Sequence, residues 1–345
     1  MARNQRIFYA CQAVAITARG AGAVAAADIV HGLQSVGMSS TFTLDQVFEM
    51  GQIEIYENIE QVADIEVTLE KVIDGYELIY NLATDGACET DIVTASKKRC
   101  DVLVAVYDDG NSHATGVPRN VCYNSGMYVS SVSYSYSVDG SATESVTLVG
   151  NDRFWNNETA GVITALAPTG IWTGAFGTGA GPTVNIQGDD TPASGVVRRV
   201  DVDLAASTLP IEITQLESDD QTGIGRGLHM QSITVSTDFG QENIQELGRF
   251  GPYHRYATFP IEVTSEFEVI ATSGDLINVS GDAPNLSSRE IVVKDTAGTV
   301  LNLGTQNKLS SVSYSGGDTG GGNATISYSY QNFNVLTVEG GRPHA

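Results

Sequence analysis

Residues 34–51 read QSVGMSSTFTLDQVFEMG, and residues 231–248 read QSITVSTDFGQENIQELG. The two stretches align over their whole length without a gap. The tetrapeptide Ile-Glu-Val-Thr follows both stretches at almost the same distance, at residues 65–68 and at residues 261–264. A recurrence of separate blocks at nearly constant spacing is the sequence signature of a repeated structural unit.

A third block, SSVSYS, occurs identically at residues 130–135 and 310–315. Three matched blocks in the same order predict that one fold unit occurs twice, as a first copy over residues 1–150 and a second copy over residues 197–345. Residues 151–196, which include a stretch rich in Gly and Thr, are expected to form a connector or insert between the copies.

An alternation of apolar and polar residues runs through both copies of these blocks. Its period of two is that of a β-strand with one face packed on a core. Because both copies keep the same phase, the same face of each strand is expected to be buried. The residues that we expect to face the core are Val36, Met38, Phe42, Ile65, Val67, Ile233, Val235, Phe239, Ile261 and Val263.

Hairpins are predicted where two alternating runs flank a turn. Residues 129–149 contain such a pair around Asp139-Gly140, and residues 310–330 contain its counterpart around a Gly-rich turn. These patterns predict a mainly β chain of two tandem antiparallel β-sandwich or open-barrel domains, each with a short helix.

Helical patterns are few. One helix is expected within Ala21–Val36, and a short second one is expected at residues 241–247. The matched blocks lie farther apart in the first copy than in the second. We therefore expect the first copy to carry an extra segment at about residues 85–122.

The chain is strongly and evenly acidic. It has 18 Lys and Arg against 41 Asp and Glu, a formal net charge of −23. Residues 1–150 contain 8 basic and 19 acidic side chains, and residues 151–345 contain 10 and 22. This balance excludes an acidic tail and a general nucleic-acid-binding surface, which needs Lys and Arg to displace counterions from phosphates. No apolar run approaches the length of a membrane helix, so no membrane partner is expected.

Enzyme signatures are weak throughout the sequence. Residues 20–25 fit the dinucleotide pattern G-x-G-x-x-A, but the βαβ units which that site requires do not follow. Residues 223–227 lack the Lys-Ser/Thr of a P-loop, and the histidines show no metal-binding spacing. The acidic pairs at residues 108–109, 189–190 and 219–220 are more typical of solvated turns than of calcium ligands. The sequence predicts no catalytic residues, no cofactor and no metal.

The duplicated block carries a family resemblance. Residues 34–51, followed by QIEIYE at residues 52–57 and IEVTLEKVIDG at residues 65–75, resemble the core of tail tube proteins of long-tailed, contractile bacteriophages. The resemblance is weaker over residues 231–270. It implies a β-sandwich with a small helix, whose strands join those of neighbours into a continuous β-barrel. It also implies hexameric rings that stack around a channel for DNA or a tape-measure protein.

Tube subunits of this kind usually have one such domain, whereas this chain is predicted to have two. Two domains per chain would let three chains form a pseudo-sixfold ring, although six whole chains per ring stay an alternative. A tube-like baseplate hub or tail adaptor is also compatible with a duplicated domain. The implied partners are further copies of the chain and the tail sheath, baseplate and tape-measure proteins, in a virion tail assembled in the host cytoplasm. Residues 85–122 and 167–187 are candidates for arms that reach neighbouring rings.

A barrel strand turns alternate residues to the lumen, so the polar faces of the duplicated strands are candidates for a channel wall. DNA would be transient cargo on such a wall, because acidic and hydroxyl side chains repel or ignore phosphate. The alternative is that these faces form the solvated outer surface. The residues that we predict to face the lumen are Ser35, Ser39, Thr41, Glu66, Glu70, Ser232, Ser236, Asp238, Glu262 and Glu266.

A secreted β-sandwich adhesin or carbohydrate-binding module is the alternative of another class. Arg3 and Arg6 precede an apolar run at residues 8–17 that weakly resembles a signal peptide, but Gln12 interrupts this run and no clear cleavage site follows. The four cysteines match neither a disulfide scaffold nor a zinc site, and they are expected to be thiols in a reducing cytoplasm.

Overall fold

The structure is a computed structural model of the 345-residue chain. The G-x-G-x-x-A stretch, residues 223–227, the three acidic pairs and most of the predicted connector lie outside the residues that it describes. The described residues are 6–19, 28–84, 91–107, 120–156, 194–214, 229–272, 274–282, 286–317 and 322–340.

The described residues are mainly β, with short helices α1 (Ile79–Ala83), α2 (Ile92–Ala95) and α3 (Ile211–Thr214). This confirms the predicted fold class of antiparallel β-structure with few helical residues. The strands are β1 (Gln12–Ala18), β2 (Leu33–Thr41), β3 (Leu44–Phe48), β4 (Ile55–Glu60), β5 (Asp64–Val72), β6 (Cys100–Val106), β7 (Asn120–Ser137), β8 (Thr143–Gly150), β9 (Asp152–Asn156), β10 (Met230–Asp238), β11 (Gln241–Ile244), β12 (His254–Ala257), β13 (Glu262–Ile270), β14 (Val292–Lys294), β15 (Val300–Asn302), β16 (Lys308–Ser315), β17 (Thr325–Phe333) and β18 (Thr337–Glu339).

One antiparallel sheet, the main sheet, dominates the fold. Its strand order is β16-β17-β13-β10-β7-β8-β5-β2. We call β2, β5, β8 and the second half of β7 the first group, and β10, β13, β17 and β16 the second group. The groups meet at the junction between β7 and β10, which pair from Ser232 opposite Ser137 to Asp238 opposite Ser131.

The two groups share their pairing pattern, including the places where the register shifts. The β2–β5 ladder shifts at Leu33/Ser35, and the β10–β13 ladder shifts at Met230/Ser232. The β7–β8 ladder shifts at Val129/Ser131, and the β16–β17 ladder shifts at Leu309/Ser311. Each pair of shifts falls on matched positions of the repeated sequence blocks. The limits of the two predicted copies stay a prediction.

The alternation of residue types in the strands becomes an alternation of burial. Along β5, Ile65, Val67 and Leu69 are buried, while the side chains between them are exposed or half-buried. Strand β13 repeats this pattern with Val263 and Phe267. Each large apolar side chain that is fully buried contributes about 1.5–3 kcal/mol to stability, so the apolar face of the main sheet orients the whole sheet.

A second layer packs on that apolar face. In the N-terminal part of the chain this layer contains β1, β6, β9 and the first half of β7, because the long β7 leaves the main sheet and enters the smaller one. In the C-terminal part it contains the sheet β14-β15-β18. Side chains of both layers and of α1 form one apolar cluster, which makes the fold a β-sandwich with a small helix.

Both helix predictions were wrong where the structure describes them. Residues 33–36 of the predicted helix Ala21–Val36 belong to β2, and residues 20–27 lie outside the described residues. Residues 241–244 form β11, which pairs with β12. These residues have no apolar stripe of helical period, so interstrand hydrogen bonding is the arrangement that satisfies their backbone. In the predicted extra segment, the described residues form α2, β6 and the start of β7.

No helix in the described ranges has the length and apolar character needed to cross a membrane.

A buried polar cluster joins α1 to the main sheet. Lys71 on β5 pairs across the ladder with Glu144 on β8, and both side chains are fully buried. The Glu144 carboxylate accepts hydrogen bonds from the backbone N–H groups of Ile79 (2.6 Å) and Tyr80 (3.0 Å) and from the Tyr134 hydroxyl (3.1 Å). Burial raises the pKa of Glu144, although the Lys71 charge and these donors oppose the rise. The carboxylate thus fixes the start of α1 beneath the sheet.

Replacing Glu144 with Ala is expected to lower the free energy of unfolding by about 3–5 kcal/mol, because it leaves two backbone N–H groups and the Tyr134 hydroxyl buried without their acceptor. Chemical denaturation measures this change. The matched control is Glu66→Ala. The Glu66 side chain is exposed on the other face of the main sheet, so this change is expected to alter stability by less than about 0.5 kcal/mol. Equal losses in the two variants would contradict the structural role of Glu144.

Candidate assembly surface

The face of the main sheet opposite the apolar cluster is lined by small polar and acidic side chains, and we call it the polar face. One row across it contains Ser35, Glu70, Ser145, Ser133 and Ser236, each opposite the next in a neighbouring strand. Residues that are directly opposite in a ladder point to the same side of the sheet. The row therefore defines this face from β2 across the junction to β10.

All the residues predicted to face the lumen lie on the polar face. The pairs Ser39–Glu66 and Ser35–Glu70 place the residues of β2 and β5 there, and Asp238–Glu262 does the same for β10 and β13. Their side chains are exposed or half-buried, whereas their neighbours along β5, β10 and β13 are mostly buried and those along β2 are mostly half-buried. The structure thus brings these residues onto one surface. That this surface lines a channel stays a prediction. The residues are Ser35, Ser39, Thr41, Glu66, Glu70, Ser232, Ser236, Asp238, Glu262 and Glu266.

Matched hydroxyl–carboxylate pairs occur in the two groups. The Ser35 hydroxyl donates to Glu70 Oε2 at 3.4 Å, and the Ser232 hydroxyl donates to Glu268 Oε2 at 3.4 Å. Glu268 is not among the residues predicted to face the lumen, and the Ile-Glu-Val-Thr blocks align Glu70 with Glu266 instead. The ladders show a two-residue offset between these blocks. The sequence could have indicated Glu268, because it lies two residues after Glu266 and therefore on the same face of the strand.

The charge on the polar face is predominantly negative. Carboxylates on β5, β10 and β13 project from it, and Gln331 donates to one of them, Glu262, at 2.6 Å. Lys308 lies at its β16 margin, opposite Gln331, and its ammonium donates to the Leu286 carbonyl at 2.9 Å. A surface of this composition offers few cations to a phosphate backbone and does not bind nucleic acid tightly.

Strands β2 and β16 end the main sheet. Within the described chain, each pairs with a single strand of the main sheet, β2 with β5 and β16 with β17. Apolar side chains are accessible along these edges. Tyr314 on β16 is 53% exposed, whereas Tyr134, at the matched position of β7, is fully buried at the junction. An exposed strand edge is a site for pairing with another strand.

The β11–β12 hairpin, which follows β10, packs against the first group. Arg255, which is buried, donates to Asp64 at 2.6 Å and to Asn151 at 3.3 Å. Gln241 donates to the Val129 carbonyl at 3.1 Å. The chain enters this hairpin through Phe239, which was predicted to face the core and is fully buried, with its ring stacked 6.4 Å from that of Tyr80.

The β3–β4 hairpin, which follows β2 in the same way, has no such support from the described residues. Every residue of β3 and β4 is exposed, and Met50 and Ile53 at the hairpin tip are fully exposed. Phe42, which precedes the hairpin, is 67% exposed although we expected it to face the core. It lies beside the outer edge of β2, where none of the described strands covers it. Val36 and Met38 on the same edge are half-buried.

The other residues predicted to face the core are buried. On β5 and β10 they alternate with residues of the polar face, as the period of two requires. They are Ile65, Val67, Ile233, Val235, Ile261 and Val263.

The remaining chemistry-bearing groups form no additional site in the described part of the chain. No group of His, Cys, Asp or Glu among these residues is arranged to hold a metal ion. Cys11, Cys100 and Cys122 are buried, and Cys88 lies outside the described residues. Burial raises the pKa of the Cys122 thiol to about 11 and also raises that of Cys100, which leaves both as poor nucleophiles at neutral pH.

Arg255→Ala is expected to loosen the β11–β12 hairpin from the first group. The change removes a charged hydrogen bond to Asp64, worth on the order of 1 kcal/mol because Asp64 is largely exposed. Hydrogen exchange at residues 241–257 is expected to rise several-fold. Arg249→Ala in the same hairpin is the control, because the pair that Arg249 forms among the described residues, with Glu246, is exposed. Unchanged exchange in the Arg255 variant would contradict this docking.

Comparisons with known proteins give similarity at the level of structure. No protein-family model matches the chain, and no curated protein matches it in sequence. The tube-terminating cap of the anti-feeding prophage is similar to it with 12% identity and a TM-score of 0.33, over 46% of this chain and 95% of that one.

Two further solved structures show similarity of the same order. In the sheath–tube complex of the PVC extracellular contractile injection system, in its extended state, the similar chain has 11% identity and a TM-score of 0.34, over 45% of this chain and 94% of that one. In the baseplate of the anti-feeding prophage it has 10% identity and a TM-score of 0.31, over 44% and 96%. Similarity at this level does not define the function, which we infer from the polar face and the sheet edges.

Proposed function

We propose that this chain is a structural subunit of a phage-tail-like particle, namely a tail tube subunit that stacks as rings around a channel for DNA and tape-measure protein. The observation that carries the proposal is the main sheet itself. It has an acidic, hydroxyl-rich polar face on one side, a core on the other, and, among the residues that the structure describes, unpaired edges on β2 and β16. A sheet of this form is suited to continue into a neighbouring sheet.

The unpaired edges favour an assembling protein over a solitary one. Monomeric β-proteins usually protect their edges with charges, prolines or covering loops. Here β2 carries Val36, Gly37 and Met38, and β16 carries Val312 and Tyr314. The β3–β4 hairpin adds exposed apolar side chains beside β2. Pairing with further copies of the chain would remove both edges from water and bury these side chains.

The polar face provides a suitable channel wall. Hydroxyl groups and carboxylates line it, and its carboxylates repel the phosphates of passing DNA. Weak contacts mean that neither DNA nor a tape-measure protein is held during passage. In this proposal the chain performs no catalysis and needs no cofactor or metal, and the net charge of −23 keeps unassembled subunits apart.

The assembly that fits two matched strand groups per chain is a trimeric ring with six tube-like positions. A ring of six whole chains is the alternative, with one group of each chain at the wall. Exposed hairpin tips such as Met50 and Leu247 are then available for contacts with adjacent rings or with sheath and baseplate proteins. The same geometry would serve a baseplate hub or tail adaptor, which forms one ring and does not repeat.

Negative-stain microscopy of the purified chain tests the proposed function. We expect rings with a central hole, stacked into tubes, and class averages with three-fold symmetry and six similar lobes. Single rings that do not stack would favour the hub or adaptor. Compact monomers at high protein concentration would contradict an assembling role and favour the binding-module alternative.

Lysine substitutions on the polar face test its position at the channel wall. Glu66→Lys with Glu262→Lys would place cations where DNA passes. In assembled particles we expect DNA delivery to slow by about tenfold or more, the effect of a barrier of roughly 1.4 kcal/mol. The slowing is also expected to weaken as salt increases.

The control for this experiment is a double variant with the same change in net charge, at two positions that lie outside the polar face. Glu339→Lys lies on β18 in the second layer, and Asp282→Lys lies in an exposed loop. This control is expected to deliver DNA at the normal rate. Normal delivery by the Glu66 and Glu262 variant would place the polar face outside the channel.

A further inference from the structure

The junction inside the chain provides a template for a contact between chains. At the junction, the first strand of the second group, β10, pairs antiparallel with the outer strand of the first group, β7. The strands that correspond to these two are β2 and β16. They are the same two strands that end the main sheet.

The correspondence is defined residue by residue. The block SSVSYS aligns β7 with β16, so that Ser133 matches Ser313. The block that begins with Gln34 and Gln231 aligns β2 with β10, so that Ser39 matches Ser236. The matched register shifts in the β7–β8 and β16–β17 ladders and in the β2–β5 and β10–β13 ladders support both alignments.

We propose that β2 of one chain pairs antiparallel with β16 of a second copy, in the register that places Ser39 opposite Ser313. This is the register of the junction, where Ser236 lies opposite Ser133. The inference deepens the proposed function and rests on it, since it names the partner and the surface through which a ring would close. The full set of opposed residues is Thr41–Ser311, Ser40–Val312, Ser39–Ser313, Met38–Tyr314 and Gly37–Ser315.

This register keeps the two faces of the sheet continuous. It places Met38 opposite Tyr314 on the apolar side, as the junction places Val235 opposite Tyr134. Val235 and Tyr134 are both buried, whereas Tyr314 is 53% exposed in the single chain. A slip of the pairing by one residue would turn apolar side chains towards the polar face. Registers that differ by one residue are therefore unfavourable.

Phe42, which follows β2, matches Phe239, which follows β10 at the junction. At the junction, the backbone N–H of Phe239 donates to the Ser130 carbonyl at 2.8 Å, and the Phe239 ring is buried beneath the first group. The matched residues are Phe42 and Ser310. The pairing would therefore bury Phe42 against the neighbouring chain. It would also lay the exposed β3–β4 hairpin over that chain, as β11–β12 lies over the first group.

The contact joins two different edges, so it is heterologous and does not end with a dimer. Each chain would offer β2 to one neighbour and β16 to the other. Such contacts build a ring when the rotation between chains closes and a filament when it does not. The number of chains in a closed ring is then measurable as the largest covalently linked species.

Engineered disulfides test the register. Ser39→Cys combined with Ser313→Cys in one chain is expected to give, under mild oxidation, a ladder of linked chains that ends at the closed ring. Opposed residues of antiparallel strands have Cα atoms about 4.5–5.5 Å apart, which a disulfide spans. A mixture of the two single-cysteine variants is expected to give linked dimers and nothing larger. The unmodified chain measures the background from its native cysteines.

Two control variants make the result specific. Ser133→Cys with Ser236→Cys has the same geometry at the junction and is expected to form a disulfide within one chain. Ser39→Cys with Ser315→Cys is two residues out of register, at a separation of about 7–8 Å that a disulfide does not span without movement. We expect linking in this variant to be at least about tenfold slower.

The possible outcomes separate this inference from the proposed function. Preferential linking of Ser39→Cys with Ser315→Cys would overturn the register. Rings seen by microscopy without linking of Ser39→Cys to Ser313→Cys would overturn the edge pairing and leave the tube proposal standing. A ladder of linked chains without rings or tubes would support the pairing and count against the tube. Monomers without any linking would overturn both.

Discussion

The antiparallel ladder between β7 and β10 is the interaction on which the rest of the structure depends. It joins strands that lie about a hundred positions apart in the chain and merges two groups of four strands into one sheet. The 18-residue length of β7 makes this possible, because its first half belongs to the second layer and its second half to the main sheet. The ladder also removes one edge of each group from water, which leaves β2 and β16 as the edges available for assembly.

The two groups share a backbone pattern, but their cores differ. The first group contains the buried pair Lys71 and Glu144, whereas the ladders place Val269 and Ile326 at the matched positions of the second group. Buried charges need partners, and here Glu144 accepts hydrogen bonds from the start of α1 and from Tyr134. Near the second group, the half-buried Arg289 forms an ion pair with Glu212 on α3. The polar face, by contrast, is similar in both groups.

The polar face and the unpaired edges have different physical requirements. In the function that we propose, a channel wall needs side chains that neither bind nor trap the cargo, and serine hydroxyls and carboxylates would meet that need through weak or repulsive contacts with phosphate. An edge needs backbone groups that can pair and apolar side chains that gain by burial, such as Met38 and Tyr314. One strand can serve both needs because its alternate residues point to opposite faces of the sheet.

The sequence by itself determined the strands of the repeated blocks, the apolar and polar side of each, and the repetition of these blocks, because a period of two fixes the face of every residue within a strand. Burial of Val235 and accessibility of Ser236 followed from that pattern alone. Only the tertiary structure decided that Phe239 is buried and the matching Phe42 is exposed, and that Lys71 and Glu144 share the interior. The reason is that backbone hydrogen bonds are the same for any partner strand. Which strands become neighbours, and which edges stay open, is therefore decided only when distant segments pack together.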